Sequence, residues 1–110
     1  MQIIINSNNQ VPMNQDSIEQ YQSEVAASLE RFNDRITRIE VHLTDENSLA
    51  KGGVDDIRCL MEARPASQQP VSVEVRAASV EQAIREGTNT LKRRMNTMFE
   101  KSQTEKRRQR

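Results

Sequence analysis

At 110 residues, with hydrophobic residues at 35%, no Trp and only Tyr21, Phe32 and Phe99 as aromatics, the chain supports one domain with one mainly aliphatic core. It has no basic leader ahead of an apolar run and nothing near the ~20 apolar residues of a membrane span, and its single Cys59 cannot close an internal disulfide. Sixteen basic residues balance sixteen acidic ones, so the average charge taken alone argues against a nucleic-acid partner, and the expectation is a soluble cytoplasmic protein with no membrane partner.

The order of the chain says more than its average. Residues 1–75 hold six basic and twelve acidic residues, a balance of −6, whereas residues 76–110 hold ten basic and four acidic, a balance of +6. Such asymmetry marks an electrostatic partner for the basic part, with an intramolecular or homodimer contact to the acidic part as the alternative use of it.

The opening stretch of Ile residues, Gln2 to Asn6, followed by the polar SNNQ, predicts a first strand. A helix then begins at Asn14 or at Asp16, the latter forming a D-x-x-E box with Glu19. Ile18, Tyr21, Val25, Leu29 and Phe32 recur at three and four, so one helical face is apolar as far as Asn33, while Glu19, Glu24, Glu30 and Arg31 occupy the others.

From Ile36 the period drops to two. Ile39, Val41 and Leu43 alternate with Arg38, Glu40 and His42, predicting a half-buried strand. A polar loop from Asp45 to Asp56 follows, and then Ile57, Cys59, Met61 and Ala63 alternate with Arg58, Leu60, Glu62 and Arg64. After the turn RPASQQP, the alternation Val71, Val73, Val75, Ala77 predicts a strand antiparallel to its predecessor.

The last element is the most distinctive. Ser79 and Gln82 have the form of a capping box, and Val80, Ala83, Ile84, Gly87, Leu91, Met95 and Met98 trace one buried helical stripe. Beside that stripe stand Arg85, Lys92, Arg93, Arg94 and Lys101. The domain is expected to span residues 1–101, with 102–110 a flexible basic tail that adds Lys106, Arg107 and Arg108. The predicted fold is a β-α-β-β-β-α two-layer α+β sandwich, a four-stranded sheet with two helices on one face.

RFNDRITRIEVHLTDEN, DDIRCLMEARP and VEQAIREGTNTLKRRM, in this order, resemble the ribosome hibernation-promoting factor family, also described as ribosome-associated inhibitor A or sigma-54 modulation proteins. The resemblance runs from the first strand to about Lys101, and implies a fold like a double-stranded RNA-binding domain with an added first strand. It further implies a short form from a divergent branch, acting under stress or in stationary phase by occupying the decoding channel of the small ribosomal subunit. Residues matching the family's basic second helix are Lys92, Arg93, Arg94 and Lys101, with Arg85 nearer the helix start; ribosomal RNA phosphates are their implied partners. Unlike lysine-bearing relatives, this chain carries Glu19, Glu24 and Glu30 on its first helix. A protein-interaction or dimerisation module that keeps the fold is the alternative.

Other polar residues read as structural. His42 stands on the outward phase of its strand with no ligand partner at metal spacing, and Cys59 shares the inward phase of Met61. The loop acids Asp45, Glu46, Asp55 and Asp56 lack the order of a calcium loop, and Gly52 and Gly53 belong to no phosphate-cradling motif. Neither a cofactor nor an enzymatic constellation is expected.

Overall fold

The computed structural model describes residues 1–8, 11, 13–45, 57–66 and 68–108, with side chains as far as Lys101. The elements run β1 (Gln2–Ser7), α1 (Gln15–Ser28), a 3-10 turn (Glu30–Phe32), β2 (Ile36–Asp45), β3 (Ile57–Pro65), β4 (Val71–Ala77) and α2 (Val80–Arg108). This is the predicted α+β sandwich. The sheet order is β1-β2-β3-β4, with β1 parallel to β2 and the other pairs antiparallel. Alternation along the strands sends Ile5, Ile39, Val41, Leu43, Cys59, Met61, Ala63 and Val73 to one face, where Val25 and Leu29 come down from the first helix and Ala83, Ile84, Leu91 and Met95 from the second.

Asn14, not Asp16, starts α1. Its extended backbone leaves the side-chain oxygen to accept the Ser17 amide at 2.8 Å. Asp16 falls inside the first turn, where a carboxylate favours the positive helix end, and Glu19 accepts from Gln15 at 3.2 Å. The helix also stops earlier than its periodicity predicts. At Leu29 the chain tightens, and the Phe32 amide bonds to the Leu29 carbonyl at 2.9 Å in place of a bond one residue further back. That tightening aims Phe32 into the core, where it is 3% exposed.

A register shift between Ile36 and Arg38 adds an irregularity that alternation could not reveal. It lets Ile36 and Ile39, three residues apart, both be buried. Thr37 fills the irregularity by donating to the Arg64 carbonyl at 2.9 Å.

In α2 half of the expected capping box forms. Ser79 Oγ accepts the Gln82 amide at 3.2 Å, while the Gln82 side chain turns away to Glu86 at 3.2 Å. Thr88 joins the predicted stripe as a buried hydroxyl, satisfied by donating to the Ile84 carbonyl at 2.6 Å. In the stretch expected as a basic tail after Lys101, the backbone is helical as far as Arg108. Gln, Glu, Lys and Arg are good helix formers, and extending an existing helix avoids the cost of nucleation. At about 1.5 Å per residue α2 reaches roughly 43 Å, nearly twice the length of a seven-residue strand. Met95 and Phe99 still pack on the core, so the helical overhang begins after Phe99, and the molecule measures 59 × 28 × 17 Å. The loop expected from Asp45 to Asp56 lies, after Asp45, outside the described residues.

Candidate nucleic-acid interface

Two sets of cations differ in how they are compensated. On the outer sheet face every described arginine stands beside a carboxylate: Arg38 by Glu40 at 3.8 Å, Arg64 by Glu62 at 3.0 Å, and both Arg58 and Arg76 by Glu74. The Arg58 hydrogen bond holds the Glu74 carboxyl below the usual carboxylate range, as expected for an ionised acceptor. Among the described residues three carboxylates thus serve four arginines, and this face is a mesh of paired charge.

The second helix is different. Arg85 is engaged, its guanidinium 2.8 Å from Glu81 one turn earlier. Arg93, Arg94 and Lys101 are exposed and Lys92 is half-buried, and none of the four has a carboxylate within 4.0 Å among the described residues. The nearest polar partner of Arg93 is the Thr90 hydroxyl at 3.5 Å. Their charge is left for solvent or for an anion.

These residues do not form a single patch. Consecutive residues are 100° apart on a helix, so Lys92, Arg93 and Arg94 sweep about 200° of its circumference. Arg94 and Lys101, two turns apart, share one flank, whereas Lys92 shares the opposite flank with Asn96, facing the 3-10 turn. Lys106, Arg107 and Arg108 lie on the helical overhang; their side chains are outside those described.

Two further arginines belong to this surface and escaped the sequence reading. Arg31 Cζ lies 5.1 Å from the centre of the Phe32 ring, and Arg35 Cζ lies 4.8 Å from that of Phe99. The two rings stack at 5.6 Å with planes 27° apart, so the arginines are fixed against one buried aromatic pair. The spacing RFNDR hints at it, with cations four apart around Phe32. Its aromatic partner lies far along the chain, and no local pattern announces the pairing.

Around this surface the first helix is acidic. It holds no basic residue, and exposed Glu19 and Glu24 flank it. Glu24 also lines the groove between the helices with Val25, Ser28, Ile84, Arg85 and Thr88. His42 is exposed on the outer sheet face opposite Leu60. Burial pushes the Cys59 thiol up to about 12, leaving it protonated and inert at neutral pH. Among the described residues no three His, Cys, Asp or Glu side chains converge on a metal position, and no helix is long and apolar enough to cross a membrane.

The chain matches no family model and no curated protein sequence. Among solved structures it is similar to the N-terminal domain of Thermus thermophilus Protein Y, with a TM-score of 0.67 at 19% identity over 89% of this chain and 99% of that one. It is also similar to a ribosomal subunit interface protein from Coxiella burnetii, with a TM-score of 0.65 at 10% identity over 89% of this chain and 97% of that one. Both neighbours belong to the hibernation-promoting factor family that the sequence motifs resemble, and the likeness establishes the shared fold.

Proposed function

We propose that this protein is a non-enzymatic, cytoplasmic ribosome-associated factor that binds ribosomal RNA of the small subunit and suppresses translation in stress or stationary phase. One observation carries the reading: on a fold shared with Protein Y and a ribosomal subunit interface protein, Lys92, Arg93, Arg94 and Lys101 of the long second helix have no carboxylate within 4.0 Å among the described residues, while the arginines of the sheet are paired. Lysine and arginine on a rigid helix can neutralise phosphates spaced along a folded RNA, and the release of counterions drives that binding. Exposed aromatics for stacking on bases are missing from the described helix, since Phe99 is buried, so shape and backbone are what it reads. Lys106, Arg107 and Arg108 extend the same charge along the overhang, and Arg85, already paired, contributes least.

The decisive experiment is co-sedimentation with isolated small ribosomal subunits across a salt series. Association at low salt, released as salt rises and abolished when Lys92, Arg93 and Arg94 are together changed to Glu in a folded protein, is the expected result. Retained association of that variant removes the assignment of the helix.

A second reading rests on the wholly acidic character of α1. Acidic α1 of one copy against basic α2 of another would make a homodimer, or a module for another protein partner. Sedimentation equilibrium showing concentration-dependent dimers that dissociate in salt, together with no binding to subunits, would favour it.

A further inference from the structure

We propose that the cleft between the 3-10 turn and α2 is a phosphate-binding site in which Arg31 and Arg35 grip a backbone phosphodiester of RNA. The inference deepens the RNA-binding reading above and rests on it. The cleft has a volume of about 230 Å³ and is lined by Arg31, Phe32, Arg35, Asn96, Phe99 and Glu100. Each guanidinium lies against one ring of the Phe32–Phe99 stack, which restrains a side chain that otherwise loses much rotamer freedom on binding. Restrained guanidinium groups offer N–H donors to an oxygen-rich anion in a planar fork, the geometry that suits phosphate.

Among the described residues neither arginine has a carboxylate within 4.0 Å, although Glu30, Asp34 and Glu100 are nearby in the chain or the cleft. The buried rings cannot themselves stack on a base: Phe32 is 3% and Phe99 8% exposed. An anion, not a nucleobase, is therefore the matching ligand. A chain of phosphates fits better than a single anion because the positive flank continues from the cleft. Asn96 lies in it, and Lys92 stands one turn earlier on the same side of α2. The path so drawn joins the second helix to the turn before β2 and leaves Arg94 and Lys101 on the far flank. Glu100, one turn after Asn96 on the same side of α2, is the acidic residue lining the cleft.

The test uses the whole chain, a fluorescent twelve-residue uridine oligonucleotide and isolated small subunits. With the wild-type protein, the arginine Nε–H signals of Arg31 and Arg35 should shift saturably in NMR as the oligonucleotide is added. Changing both residues, Arg31→Gln with Arg35→Gln, should weaken oligonucleotide and subunit binding at least tenfold. It should also lower the log–log salt slope by about 0.7, the value for the one single-strand phosphate the two arginines share. The paired change to Lys, which keeps charge over the rings, should recover part of the affinity. Unshifted arginine signals, or a folded double Gln variant with wild-type affinity and slope, overturn the proposal. Subunit binding that ignores the double variant removes the cleft and leaves the ribosome reading standing. Oligonucleotide binding through the two arginines without subunit binding does the reverse, and binding to neither probe removes both.

Discussion

The rings of Phe32 and Phe99 stack with centroids 5.6 Å apart and tie the turn before β2 to the distal half of α2. This contact, far from local in sequence, sets where the long helix lies relative to the sheet and carries Arg31 and Arg35 with it. It joins the hydrophobic core to the charged surface.

Removing one ring should therefore loosen both. Phe99→Ala is expected to cost about 3 kcal/mol, the low end for a buried phenylalanine because the site lies at the core's edge. Urea unfolding measures the loss. Hydrogen exchange should show it concentrated in α2 beyond Met95, and an unchanged exchange pattern there would contradict the anchoring role.

Close approach of α2 to β3 depends on Gly87. A Cβ at that position would sit 3.2 Å from Met61 Cε and 3.3 Å from Cys59 Sγ, tighter than ordinary contact. Gly87→Val should destabilise by about 1–3 kcal/mol through overpacking, which outweighs the small gain in helix propensity over glycine. Adding Met61→Ala should reduce the further penalty, giving a favourable coupling in a double-mutant cycle, whereas simple additivity would show that the helix is not held at this contact.

The two helix caps are independent of each other. Asn14→Ala and Ser79→Ala each remove an acceptor for an amide at a helix start, and each should cost about 1 kcal/mol. The double variant should lose the sum, read from denaturation midpoints at constant m-value.

Ion-pairing predicts unequal effects along the basic helix. Lys92→Ala and Arg94→Ala should each lower the salt slope of RNA binding by roughly 0.7–0.9. Arg85→Ala should change it far less, because Glu81 already holds that charge. Equal slopes for all three variants would show that local pairing does not select the contacts.

Stability should fall in alkali for a specific reason. Cys59 has its pKa raised from an ordinary value of 9.0 to about 12 by burial, so the folded state holds the proton more tightly than the unfolded chain. Its contribution is complete below pH 9 and declines as pH rises towards 12, by up to about 1.4 kcal/mol per pH unit. Burial and the nearby Glu81 and Glu24 raise the Tyr21 hydroxyl as well, in the same direction. The diagnostic quantity is therefore the difference in stability between wild type and Cys59→Ala from pH 8 to 11. It should shift in favour of the variant as pH rises, and a constant difference would exclude titration of the thiol.

Element order, strand phases and the α2 stripe were legible in the sequence because periods of 2 and 3.6 are local properties: Val41 and Met61 face the core by alternation, Leu91 and Met95 by helical recurrence. The capping acceptor Ser79 was legible for the same reason. Tertiary structure alone decided that Ile36 enters the core through a register shift, that the chain tightens after Leu29, and that Thr88 joins the stripe. It also decided which cations stay unpaired. A carboxylate on a neighbouring strand neutralises Arg58, while Lys92 and Arg94 meet none among the described residues, and Arg31 and Arg35 gain their positions from an aromatic pair closed by Phe99. Composition counts all these charges alike. Only distances across the folded chain separate charge spent within the protein from charge left for a partner.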